Sequence, residues 1–159
     1  QYLVLGSHWL TKGSNHIYCP DIDNFTDLHN YIDQTIEGMR SGLFTFLAHP
    51  DLFMKGYKEW DSEAKSCLQA LLDAAIDLNL PLEINGLGMS RTPNETIHGM
   101  RYQYPYAEFW EMVARTKVPV ICNADAHEPH DVIFNAQKAC DFASRFGITS
   151  IKTLNLHFK

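Results

Sequence analysis

An α/β domain of parallel strands joined by helices is the fold this sequence predicts, with a barrel favoured over an open doubly wound sheet. Three observations predict it. Short apolar runs alternate along the chain with segments whose apolar residues recur at helical spacing. Three of those runs end in groups able to bind a metal: His8, His49, and Asp125 with His127. Barrels of alternating strands and helices gather their chemistry at the carboxyl ends of the strands. Finally, the glycine-rich turn of a dinucleotide site is missing, because Gly86-Leu87-Gly88 lacks a third glycine and an immediately following helix.

Taken in order, the first strand is expected over Tyr2–Ser7, followed by a polar loop that closes at Cys19-Pro20-Asp21. Phe25, Leu28, Ile32, Ile36 and Met39 share one helical face, with Asn24 or Thr26 as cap and Gly42 as the closing residue. A second strand over Phe44–Ala48 runs into His49-Pro50-Asp51. Ala64, Leu68, Leu71, Leu72, Ala75, Ile76 and Leu78 make a strongly periodic helix, capped by Asp61 or Ser62. The third strand is Leu80–Ile84, and its continuation carries Asn85. Residues 86–105 have no clear period and read as a long functional loop. A helix over Tyr106–Thr116, a strand over Val118–Ala124, a helix near His130–Arg145 that ends at Gly147, and a fifth strand over Ile148–Leu154 complete the pattern.

At 159 residues the chain is one domain's worth of sequence. Its net charge of −6 argues against nucleic acid or an anionic membrane as the main partner. A small anionic substrate stays compatible, because metals and local arginines can dominate one pocket. The cysteines at 19, 67, 122 and 140 have no CxxC spacing and read as free thiols, with Cys67 and Cys140 on apolar helix faces. No signal-peptide pattern and no bilayer-length apolar run is read, so a cytoplasmic protein is expected. The chain opens without Met, directly into an apolar strand, as expected of the interior of a longer protein.

The chemistry rests on coincidence of position rather than on any single residue. Asp125 and His127 alternate on an extended segment and so point to one side. The proline after His49 stiffens the backbone where a ligand has to be held. Imidazole and carboxylate together suit zinc, iron or manganese. Glu83 and Asn85 also alternate; orienting a ligand or bound water and coordinating directly are both open to them. Arg91 and Arg101 lie in the long loop on the same side, where a guanidinium fork matches phosphate oxygens. Tyr102, Tyr104, Tyr106, Phe109 and Trp110 either wall a pocket or fill the core. Among the other histidines, His29 falls on the polar side of its helix, His157 lies near the terminus, and His16, His98 and His130 read as solvated residues of loops or a helix start, with the expected pocket mouth a lesser alternative for His98 and His130.

Gly6-Ser7-His8, Ala48-His49-Pro50-Asp51-Leu52-Phe53, Leu82-Glu83-Ile84-Asn85 and Ala124-Asp125-Ala126-His127, in that order, resemble the later motifs of the PHP (polymerase and histidinol phosphatase) family. The histidinol-phosphate phosphatase branch is the most similar, and Arg101 with Tyr104-Pro105 resembles a segment of it. The resemblance implies the C-terminal portion of a distorted (β/α)7 TIM-like barrel, with residues 1–159 as a single PHP-type domain incomplete on its N-terminal side. It implies a cluster of up to three divalent transition metals (zinc, iron or manganese), with His8, His49, Asp125 and His127 at ligand positions. The implied activity is hydrolysis of a small phosphorylated substrate, L-histidinol phosphate foremost. Alternatives on the same scaffold are a protein-tyrosine or nucleotide phosphatase, or a metal-poor structural or binding module. The family's opening His-x-His, a further early histidine and a bridging glutamate have no counterpart here, so this chain alone is expected to be inactive.

Overall fold

The computed structural model describes residues 2–154. Its elements in chain order are a hairpin of β1 (Trp9–Lys12) and β2 (Asn15–Tyr18), helix α1 (Phe25–Arg40), helix α2 (Ser62–Leu78) and strand β3 (Leu82–Asn85). A second hairpin follows, β4 (Asn94–Thr96) with β5 (Gly99–Arg101), then helix α3 (Ala107–Val113), strand β6 (Val120–Asn123) and helix α4 (Asp131–Arg145). Short 3-10 turns cover Cys19–Asp21, Leu52–Lys55 and Leu87–Ser90. The architecture is mixed α/β with small sheets, each of two strands among the described residues.

Parallel contacts run through the middle of the molecule in chain order. Leu5 bridges Leu47, Leu47 bridges Leu82, and β3 pairs in parallel with β6 from Leu82↔Val120 to Asn85↔Asn123. All four β3 residues are buried, as expected of a parallel strand covered on both faces. Around this spine α1 buries Leu28, Tyr31, Ile32 and Met39, and α2 buries Ala64, Cys67, Leu68, Leu71, Leu72 and Ala75. At about 1.5–3 kcal/mol for each large apolar side chain withdrawn from water, that two-helix face dominates the local stability. No helix of the described residues is long and apolar enough to cross a membrane.

The helix caps resolve the two choices left open by the sequence. Asn24 accepts a hydrogen bond from the Asp27 amide, and Asp61 accepts from the amides of Glu63 and Ala64. Gly42 lies just beyond α1 at φ +69, a left-handed conformation glycine adopts without strain. α2 instead ends on Asn79 at φ 49, a stop the apolar pattern did not mark.

Several strand expectations are corrected. The first, Tyr2–Ser7, pairs only around Leu3–Leu5, where Leu5 N donates to Phe46 O (3.1 Å) and Thr45 N to Leu3 O (2.8 Å). Beyond it the chain is drawn off toward α1, because the Tyr31 hydroxyl donates to Ser7 O at 2.7 Å. The second, Phe44–Ala48, is reduced to a bridge at Leu47 and stops at His49, whose φ of 32 leaves the extended region. The supposed polar loop after His8 is the β1–β2 hairpin, turning at Gly13 with φ +63. Residues 86–105 hold a 3-10 turn and the β4–β5 hairpin rather than an open loop. Ile148–Leu154 is not a strand; a single bond from Ile151 N to Val120 O (2.7 Å) ties it to β6. Cys140 is exposed, against the expected apolar face, while Cys19 and Cys67 are buried.

Two side chains lock the segment that follows His49. Asp51, fully buried, accepts from Tyr106 N at 2.6 Å and from Trp110 Nε1 at 3.0 Å, so it fastens the Leu52–Lys55 turn to the start of α3. Burial pushes its carboxyl up to about 6, against the pull of those two donors. Arg101 reaches the same segment: Nη2 donates to Met54 O (2.6 Å) and Tyr57 O (3.1 Å), and Nη1 to Tyr102 O (2.8 Å). Its guanidinium also lies 4.4 Å over the Tyr106 ring.

Replacing Asp51 by Ala should leave two buried N–H donors without partners and cost about 2–5 kcal/mol, read as a lower denaturation midpoint at unchanged m-value. A second expectation concerns acid. The Lys12 ammonium at 2.8 Å, and then Asn24, hold the Asp27 carboxyl below the usual carboxylate range. A folded pKa below the unfolded one contributes stability above the unfolded value and loses it as pH falls through the folded one. Lys12→Ala should therefore flatten the loss of stability on acidification below about pH 4, relative to the native chain. Parallel acid-denaturation curves of the two proteins are the check; superimposable slopes would remove the pair from the account.

Candidate functional site

The site is assembled around a carboxylate that is not itself on the surface. Glu83, 2% exposed, points from β3 into the junction of three strand ends. Its Oε2 accepts from the His49 backbone N (3.0 Å) and from Asn85 Nδ2 (2.9 Å), and its Oε1 accepts from Asn123 Nδ2 (2.8 Å). Burial raises its pKa, the three donors oppose that rise, and the nearby Asp125 charge adds to it. Asn85 extends the network, since the same Nδ2 also donates to Asp125 Oδ2 at 3.1 Å. Its Oδ1 accepts from Leu87 N (3.0 Å), so the amide orientation is fixed from both ends. Glu83 and Asn85 therefore hold the His49 backbone and the Asp125 carboxylate in place.

His49 and Asp125, each at the end of its strand segment, have positive φ, 32 and 48. Such φ values are uncommon for residues other than glycine and cluster where surrounding structure holds a functional group in place. The His49 ring is buried, and its Nδ1 has no hydrogen-bond partner. Burial, then the neighbouring His8, lowers its pKa to about 4, so the imidazole is neutral near pH 7 and able to offer a lone pair. The His8 ring meets it edge-on at 4.7 Å between centroids. Gly6 makes room for that placement, because a Cβ there would sit 2.8 Å from the His8 ring.

His8 and His127 are alike in a second respect. Nδ1 of His8 lies 2.9 Å from Gly6 O, and Nδ1 of His127 lies 3.1 Å from Asp125 O. A carbonyl can only accept, so each Nδ1 carries the hydrogen in that contact and Nε2 is left as the free donor of electrons. An unpartnered buried nitrogen, two imidazoles with Nε2 free and a held carboxylate suit a divalent transition ion. The four groups do not close on one point, however. Among the described residues, the one group of three or more His, Cys, Asp or Glu with donor atoms all within 4.8 Å is His29, Glu63 and Cys67.

Other expectations are placed as follows. Tyr104 is buried with its ring 6.0 Å from that of His49, and the charges of Asp125 and Arg91 both reach its hydroxyl, so it walls the site. Tyr106, Phe109 and Trp110 are core. Arg91 is exposed next to the Leu87–Ser90 turn, whereas Arg101 is engaged with backbone carbonyls away from any predicted ligand. His98 lines a groove of about 470 Å³ with Arg101, Phe142 and Arg145, which contains none of the four ligands. His130 is exposed beside Asp131, and His157 lies outside the described residues. Asn123 escaped the sequence reading, although it alternates with Asp125 and pairs with Asn85 in register. So did the His29–Glu63–Cys67 group, whose only sequence signal is the four-residue spacing of Glu63 and Cys67 on one helix.

Compared with known families and with curated proteins, the chain matches no family model and no curated sequence.

Proposed function

We propose that this chain forms part of a metal-dependent phosphomonoesterase of the PHP type, with L-histidinol phosphate as the leading substrate. The observation that carries the reading is the Glu83 network, which holds His49 and Asp125 at strand ends on either side of β3, with His8 against the His49 ring. The order Leu5, Leu47, Leu82, Val120 of the parallel contacts supports the wall of a barrel, the finer fold the PHP resemblance implies.

In this reading His8, His49, Asp125 and His127 hold the metals. When bound, such ions supply a hydroxide nucleophile near neutral pH and offset charge on the phosphoryl oxygens. The chain's own groups do the rest. Asn85 fixes the Asp125 carboxylate, and Glu83 fixes the His49 backbone, so both present their electrons in a set direction. Tyr104 closes one side of the pocket against water. Arg91, exposed and near enough for its charge to reach Tyr104, supplies local positive charge for a dianionic ester on a chain of net charge −6. Arg101 positions the segment after His49 rather than the substrate. A second reading, a metal-poor PHP-type module, is favoured by one observation: no three of the four predicted ligands have donor atoms within 4.8 Å of one another.

Elemental analysis separates the two. The protein carrying this chain should hold zinc, iron or manganese, and His49→Ala should lower both metal content and turnover; equal metal in native and variant protein would remove His49 from the site. Arg91→Lys should cut kcat/KM on histidinol phosphate by about tenfold or more with metal unchanged, since a charged, forked hydrogen bond is worth ~1.5–3 kcal/mol. Arg101→Lys should act mainly on stability, lowering the denaturation midpoint. The reverse pattern would exchange the roles of the two arginines.

A further inference from the structure

Where α1 packs on α2, three side chains of different chemistry meet away from the site just described. Glu63 and Cys67 are four residues apart on α2 and so share a face. His29 faces them from α1, with its Nε2 hydrogen-bonded to Glu63 Oε1. One imidazole nitrogen, a carboxylate oxygen and Sγ all lie within 4.8 Å of one another. They are graded from core to solvent: Cys67 is buried, Glu63 half-buried and His29 exposed. Asp33, one turn beyond His29 and exposed, is close enough for its charge to reach the Cys67 thiol, as are Glu63 and Asp61.

We propose that His29, Glu63 and Cys67 form a second metal site, which binds a zinc-class divalent cation and clasps α1 to α2. The donor set chooses the ion. Magnesium and calcium take oxygen ligands, whereas a thiolate with an imidazole and a carboxylate suits zinc. The exposed side of the group leaves a coordination position for water or for the Asp33 carboxylate. A cation also suits the local electrostatics, because the charges of Glu63, Asp61 and Asp33 all reach one buried sulfur. On binding, the Cys67 S–H bond breaks and its proton goes to solvent, and the Nε2 hydrogen that His29 shares with Glu63 is exchanged through solvent onto Nδ1; the freed sulfur and imidazole electron pairs then form the bonds to the metal, and no oxidant or reductant is needed. The site shares no residue with the His8, His49, Asp125 and His127 set, which contains no sulfur, and it stands or falls independently of the phosphatase reading.

Cobalt(II) is the probe, since a cobalt–thiolate bond gives a near-ultraviolet charge-transfer band that imidazole and carboxylate ligands do not. The full chain, stripped of metal with a chelator, should develop this band on cobalt titration and lose it on adding zinc. Cys67→Ser should abolish the band, and Cys140→Ser, at the exposed cysteine, should leave it intact. His29→Ala changes an exposed side chain and should weaken cobalt binding by about tenfold or more with circular dichroism unchanged. Zinc should raise the Tm of the native chain by more than that of His29→Ala. No band in the native chain, a band retained in Cys67→Ser, or native affinity in His29→Ala would each overturn the proposal. The His29→Ala arm decides the matter even if Cys67→Ser fails to fold.

Discussion

The buried carboxylate of Glu83 is the constraint around which the middle of this molecule is arranged. A carboxylate taken out of water costs several kcal/mol unless its lone pairs are occupied. Here they are occupied by donors from three different strand ends: the His49 amide, the Asn85 side chain and the Asn123 side chain. Satisfying one charge therefore fixes the relative positions of segments far apart in sequence. The parallel register of β3 with β6 sets Asn85 beside Asn123, and the Leu47–Leu82 bridge brings His49 within reach. Slipping one strand by a residue would turn these groups to the opposite face and leave the carboxylate without donors.

That constraint explains the unusual backbone at the same place. His49 and Asp125 hold positive φ because the residues on either side are tied down. Ala48 N donates to Leu5 O, His49 N to Glu83, and the Asp51 carboxylate is fastened to α3. Arg101 closes the far end of the same segment by binding the carbonyls of Met54 and Tyr57. The turn after His49 is thus held by an acidic and a basic side chain whose hydrogen-bond partners are all backbone or indole groups, not each other. Such an arrangement rigidifies a site without placing an ion pair across it.

Electrostatics divides the molecule into two regions. Near His49, burial keeps an imidazole neutral and faces it with a second imidazole and a carboxylate. Where α1 packs on α2, burial, and then the charges of Glu63, Asp61 and Asp33, push the Cys67 thiol up to about 12, and the His29 imidazole is bound to Glu63. One region is built from strand ends and the other from helix faces. Their ligand chemistries differ accordingly, nitrogen and oxygen in the first and sulfur in addition in the second.

Local physics was legible in the sequence. Apolar periodicity located α1 and α2, because a helix that packs on one face must repeat its apolar residues at that face, and side-chain chemistry narrowed each cap to two candidates, of which the structure uses Asn24 and Asp61. The alternation of Glu83 with Asn85 put both groups on one side of an extended strand, whereas Asp125, with φ 48 beyond the end of β6, leaves the extended region, so the same expectation fails for Asp125 and His127. Pairing was not legible. Which apolar runs become strands depends on neighbours supplied by distant chain, so Tyr2–Ser7 and Phe44–Ala48 shrank to bridges and Ile148–Leu154 kept one bond. Burial of a charged side chain was equally invisible. Neither the bonds of Arg101 to the carbonyls of Met54, Tyr57 and Tyr102 nor the bond from the Asn123 side chain to Glu83 could be read along the chain. Local propensity is written in neighbours along the chain, whereas hydrogen-bond partners across the fold exist only once the helices and strands have been packed together.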